Sequence, residues 1–313
     1  MSMSKYLMVL TASAAVALGS AATAQASTVL FNPAGTGSTG AISIDVLDPG
    51  PGNSLSTLNG SSTVGTTGTL LFQANLDGAL LGGTTVFSNG TGGHFFTFAA
   101  SFNETLTNNT GGTHPTIVFG PTGGSTNGTF DIYAQTALGN DLTGTGFTSP
   151  GTLILSGTLL NNNNFFGNFT ANTTNIGALD QFGTNNYPTV SSVSGTGGFQ
   201  AQIQITSANA GYFPGLVPGQ VFIFATTDQN LPFVTANPSA CFSSNAVTAC
   251  DTGGAGTPNV GSINGLGTDT MLQTDANLSF VGVVPEPATL SLLGLGLLAG
   301  AGQIRKRFGR KQK

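Results

Sequence analysis

Between Tyr6 and Ile304 this 313-residue chain has neither lysine nor arginine. Its seven basic residues are Lys5 and a terminal group of Arg305, Lys306, Arg307, Arg310, Lys311 and Lys313. Of the twelve acidic residues only Glu286 lies beyond Val284. The stretch Ser27–Val284 therefore holds eleven carboxylates and a formal charge of −11, against −5 for the whole chain. Such a body forms no internal Lys or Arg ion pair. It has no cationic patch to neutralise phosphates, which excludes nucleic acid as a partner, and anionic lipid surfaces repel it.

Imidazole and thiol are almost as scarce. His94 and His114 are the only histidines, so a zinc site or a histidine base would have to be assembled from them and distant carboxylates. There is no H-E-x-x-H and no G-x-S-x-G. No residue is assigned a catalytic role, and no metal or cofactor is assigned. The one candidate ligand set is the turn Asp45-Val-Leu-Asp48-Pro-Gly-Pro-Gly-Asn53. Its two carboxylates and amide are oxygen donors of the type calcium takes, although Asp and Asn are also ordinary turn formers. Cys241 and Cys250 are the only cysteines. In an exported chain they are expected to pair, a short loop closure that stabilises by about 2–3 kcal/mol. Gly35-Thr-Gly-Ser-Thr-Gly40 has the spacing of a dinucleotide loop, but a strand-like segment (AISIDV) follows where a helix is required. It reads as a chance match.

Also lacking, between the two ends, is any helix-period segment of useful length. What recurs instead is the short strand-like run bounded by Gly, Asn, Pro and Ser: Ala41–Val46, Thr69–Leu76, His94–Leu106, Thr116–Phe119, Thr129–Ala134, Gly151–Leu160, Val190–Ser194, Phe199–Thr206 and Gln220–Thr226. In FQAQIQIT, Phe199, Ala201, Ile203 and Ile205 face one way and Gln200, Gln202, Gln204 and Thr206 the other, the period of a half-buried strand. The expected fold is all-β, an antiparallel sandwich or jelly-roll-like body in one domain, residues 27–283.

The ends have their own organisation. Lys5, the apolar stretch Tyr6–Leu18 and Ala24-Gln25-Ala26 have the form of a secretory signal, residues 1–26, cut by signal peptidase between Ala26 and Ser27. The tail, residues 284–313, runs Pro285-Glu286-Pro287, then a mostly apolar stretch Ala288–Ile304, then Arg305-Lys306-Arg307. The apolar stretch, as a helix of roughly 25 Å, is near the lower limit for a bilayer core. The basic cluster keeps that end cytoplasmic and leaves the body outside the inner membrane.

These tail residues, VPEPATLSLLGLGLLAGAGQIRKR, closely resemble the PEP-CTERM sorting signal of Gram-negative bacteria. The resemblance implies recognition by an exosortase-like enzyme, removal of the tail, and delivery to the cell surface or an exopolysaccharide matrix. The body resembles the flocculation-associated PEP-CTERM proteins in Phe31–Gly37, Ile44–Asp48 with Pro51–Leu55, Phe72-Gln73-Ala74, Phe130–Tyr133, Leu142–Phe147 and Pro238-Ser239. This implies a non-enzymatic role in floc or biofilm formation with exopolysaccharide. The polar but uncharged composition of the body also suits self-association. Two alternatives stand beside it. One is a lectin-like glycan-binding module assisted by calcium; the other is a secreted glycan hydrolase using a carboxylate pair brought together in space.

Overall fold

Apolar residues at every second position build the body. The computed structural model describes residues 27–58, 63–122, 128–160, 166–230, 232–243, 263–264 and 269–281. They form strands β1 (Val29–Phe31), β2 (Ile42–Ile44), β3 (Val46–Pro49), β4 (Gly52–Ser56), β5 (Thr67–Leu81), β6 (Thr84–Ser88), β7 (Phe95–Asn109), β8 (Thr116–Pro121), β9 (Gly128–Gln135), β10 (Thr152–Leu159), β11 (Phe166–Ala178), β12 (Ser191–Ala208), β13 (Val221–Asn230) and β14 (Thr270–Phe280). One 3₁₀ turn, Thr91–Gly93, is the sole helical element among the described residues.

Strand pairing joins twelve of these into one antiparallel sheet that returns on itself. β5 pairs β7, β7 pairs β9, β9 pairs β10, β10 pairs β12, β12 pairs β13, β13 pairs β14, β14 pairs β3, and β3 pairs β5. Three positions in this ring are each filled by two strands in tandem. β3 is continued by β4, which also lies between β14 and β5. β8 takes the place beside the far half of β7, and β11 the place beside the near half of β12. β8 and β11 pair with each other. Neighbours around the ring are thus consecutive along the chain, a meander of eight positions. One seam is open: the β12–β13 ladder ends at Gln200–Ala225, although β12 runs on to Ser191 at that end.

An eight-position ring has an interior just wide enough for side chains to fill, and here they are largely phenylalanine. Phe224 on β13 lies 5.0 Å from Phe72 on β5, 6.2 Å from Phe102 on β7, 4.9 Å from Phe130 on β9 and 5.1 Å from Phe199 on β12, between ring centroids. Opposite walls therefore touch, as in a sandwich, with their edges joined. The antiparallel, sandwich-like all-β expectation holds, and the strand order refines it. Outward residues of β12 are Gln200, Gln202 and Gln204, half-buried between the buried Phe199, Ala201, Ile203 and Ile205. Polar outside and apolar inside is the reverse of a membrane barrel.

On the outside of β4, β5 and β14, three amides stand in one cross-strand row, Asn53 opposite Gln73 and opposite Gln273. All three are buried, because residues 232–243 run over them. Gln273 Oε1 accepts from the Val234 and Thr235 amides at 2.8 and 2.7 Å. Asn53 Nδ2 donates to the Asn237 carbonyl at 3.0 Å, and its Oδ1 accepts from the Ser239 amide at 2.8 Å. Gln73 Nε2 donates to Ser239 Oγ and to the Cys241 carbonyl, both at 2.9 Å. Phe233 and Phe242 anchor this strap in a second apolar cluster with Leu55, Leu71 and Met271. In a body without Lys or Arg, neutral amides tie chain to sheet.

The expected signal segment (residues 1–26), the sorting tail and Cys250 lie outside the described residues. Residues 26–281 cluster as one compact unit, and among the described residues no helix is long and apolar enough to cross a membrane.

Candidate functional site

The open seam between β12 and β13 shapes the outer surface. On β11 every second residue, Phe166, Asn168, Thr170 and Asn172, points outward. Their partners on β12 are Gln200, Gly198, Thr196 and Ser194. Gly198 leaves the floor low; a Cβ there would come within 2.7 Å of the Thr226 carbonyl. Thr226 Oγ1 accepts the Phe199 amide at 2.7 Å, beyond the last β12–β13 ladder pair. The result is a trough of about 670 Å³ between Phe166, Asn168, Thr196, Gln200 and Thr226. Through Thr170 and Thr196 it continues into a recess of about 340 Å³ that ends at His114.

The chemistry of this surface is uniform. Phe166 is 52 % exposed and offers a flat apolar face. The polar groups around it are amides, hydroxyls and backbone groups, which both donate and accept, with Phe199 and Ala225 also in the lining and His114 at the far end. Among the described residues neither recess is lined by a carboxylate. Glycines on the opposite face of β12 make the wall thin: a Cβ at Gly195 would meet the Phe169 ring at 2.3 Å, so the inner aromatic packs directly on backbone.

The residues singled out in the sequence are placed as follows. Asn53 is fully buried and both its polar atoms hold the strap. Asp45 Oδ2 accepts from the Gly82 amide at 2.8 Å, in the β5–β6 turn. Asp48, of opposite parity, lies near Asp275 and Asp77, and its carboxyl is pushed up to about 6 by burial and then by those two charges. The turn thus does not gather Asp45, Asp48 and Asn53 around one point; it joins β3 to β4. Asp141 is raised to about 7 by burial, opposed by a hydrogen bond with Asn53. The Gly35–Gly40 loop is a hairpin end, held by Asn32 Nδ2 donating to Thr36 Oγ1 and to the carbonyls of Gly37 and Thr39 at 3.0, 2.7 and 2.8 Å. His114 is exposed at one end of the trough and His94 follows the 3₁₀ turn. Cys241 is buried in the strap; its expected partner Cys250 is outside the described residues, as are Ala24, Ala26 and the tail.

Phe166 and Asn168 were not singled out by sequence reasoning. FGNFTANTT is not among the strand-like runs expected from the sequence, yet its alternation of Phe166, Asn168, Thr170 against Gly167, Phe169, Ala171 is a usable signal.

Residues 283–307 match the PEP-CTERM protein-sorting motif. No curated protein and no solved structure matches the chain. The motif marks an exported surface protein that is anchored at the membrane in transit and processed by an exosortase.

Proposed function

Starting from an exosortase-sorted surface protein, we propose that the β body holds neutral polysaccharide in the extracellular matrix and so promotes flocculation or biofilm formation. It acts without catalysis and without a resident cofactor. Signal peptidase frees the N-terminus at Ser27, the exosortase acts at Pro285-Glu286-Pro287, and exopolysaccharide is the working partner. The observation that carries this reading is the trough along β11 and β12, an exposed Phe166 flanked by Asn168, Thr170, Thr196 and Gln200 with no charge. Sugar rings present apolar C–H faces to an aromatic plane and hydroxyls to amides and hydroxyls. A body at −11 would repel an acidic polymer, so the glycan is neutral.

The test uses the protein purified from the extracellular fraction and the polysaccharide of the same cells. Co-sedimentation should fall at least tenfold in the double variant Phe166→Ala, Asn168→Ala, and chelator should leave wild-type binding unchanged. Deleting the gene should abolish flocs while polysaccharide synthesis continues. Wild-type binding by the double variant, or flocs unaltered by the deletion, overturns the reading.

A further inference from the structure

Inside the barrel, the alternation Phe96, Phe98, Ala100, Phe102 along β7 continues to Glu104. This carboxyl is 1 % exposed. It faces Gly68 across β5 and Pro121 across β8. It lines a cavity of about 220 Å³ at the end of the barrel where β4 and β7 finish and β5 and β14 begin. The remaining walls are mostly apolar: Leu58, Leu70, Ile117, Phe119, Phe169 and Leu272. Among the described residues the carboxyl has one hydrogen bond, from Ser56 Oγ to Oε1. The side chains that β4, β5, β8, β11 and β14 turn toward it are Ser56, Leu70, Phe119, Phe169 and Leu272, none of which titrates. Gly68 is kept small here, since a Cβ would meet Leu58 at 2.8 Å and displace a wall.

A buried carboxyl with a single hydroxyl partner at one end of an apolar chamber favours its neutral form, and its carboxylate is stabilised most by an opposite charge brought to it. The chain supplies none, because its body has no Lys or Arg. At roughly 30 Å³ per small group, the chamber holds about seven heavy atoms.

We infer that this cavity is a binding site for a small apolar primary amine, its ammonium group on Glu104 and Ser56 and its hydrocarbon against Leu70, Phe119, Phe169 and Leu272. The net negative body draws such a cation in, and the apolar walls reject more strongly hydrated ones. The cavity shares Asn168 and Gly198 with the lining of the trough, but its carboxyl Glu104 lines the cavity alone, so the assignment does not depend on the polysaccharide reading.

Hexylamine, with about seven heavy atoms by the same volume estimate, is the probe, and 1-hexanol its neutral counterpart. Calorimetry on the purified protein should show one saturable hexylamine site. Affinity for 1-hexanol should be at least tenfold weaker. E104Q should lose hexylamine binding at least tenfold while polysaccharide co-sedimentation stays as in wild type. Glu104 is the only glutamate between Ser27 and Val284, so carboxyl-labelled glutamate reports on it directly. Its titration, which burial pushes up to about 7, should move down by more than one pH unit on adding hexylamine. Equal binding of the two probes, hexylamine binding retained in E104Q, no saturable site, or an unmoved resonance each overturns the assignment.

Discussion

Glu104 continues the inward alternation of β7, so the residue that breaks the apolar pattern is still directed into the barrel. Its carboxyl is raised from 4.5 to about 7, burial dominating and the Ser56 hydrogen bond opposing. A raised value means that the folded state favours the protonated form. Stability is then full below the unfolded value and declines as pH rises from about 4.5 to about 7. At 1.36 kcal/mol per pH unit the effect is about 3 kcal/mol. Glu104→Gln keeps an acceptor for Ser56 and removes the charge. It should therefore raise urea-unfolding stability by about 3 kcal/mol near pH 8, and change it by less than about 0.5 kcal/mol near pH 4. An equal effect at both pH values would mean that charge is not the cause. The alternation HFFTFAASFNETL made the inward parity of Glu104 legible. What it did not carry was the cavity, which depends on Gly68, Leu58 and Leu272 from strands far apart in sequence.

Among elements, those with β-branched and aromatic residues were the readable ones. Thr69–Leu76, His94–Leu106, Thr129–Ala134, Gly151–Leu160 and Phe199–Thr206 correspond to β5, β7, β9, β10 and part of β12. β4 (GNSLS), part of it inside the Asp45–Asn53 turn, and β11 (FGNFTANTTNIGA) are not among the strand-like runs of the sequence, because Gly and Asn are depleted in strands. They are strands because each is flanked on both sides by partners, β4 by β14 and β5, β11 by β8 and β12. The Asp45–Asn53 turn was visible as a bend. Its use, joining two half-strands and presenting Asn53 to the strap, is a long-range matter that local pattern cannot contain. The strap is held by polar groups left buried if their partner is removed. Gln73→Leu should thus cost about 2 kcal/mol by urea unfolding, whereas Gln204→Ala on the outward face of β12 should cost less than about 0.5 kcal/mol. Equal losses would show that the amide row does not hold the strap. A disulfide from Cys241 to Cys250 would pin the same segment. Alkylation under denaturing conditions without reductant should then leave both cysteines unmodified, and reduction should cost about 2–3 kcal/mol. Ready alkylation of the unreduced protein would remove that bond from the account.

For the molecule as a whole, the charge map and the sorting motif describe one design. Every Lys and Arg is Lys5 or lies at or beyond Arg305, so a chain trimmed at both ends would be a barrel without Lys or Arg, with polar, mostly uncharged outer strands. The extracellular form should end near Pro285 by intact mass; a species still ending at Lys313 would contradict exosortase processing. Beyond delivery, the proposed role requires that hydrogen bonding and aromatic contact, rather than ion pairing, hold the protein in its matrix. Co-sedimentation of the extracellular protein with its own polysaccharide, followed from about 0.05 to about 1 M salt, tests that claim most directly, because screening at about 1 M confines ionic attraction to about 3 Å. Binding that is constant across this range and lost in the Phe166→Ala, Asn168→Ala variant is the predicted result. Binding that collapses with salt, or that the variant keeps, would contradict it.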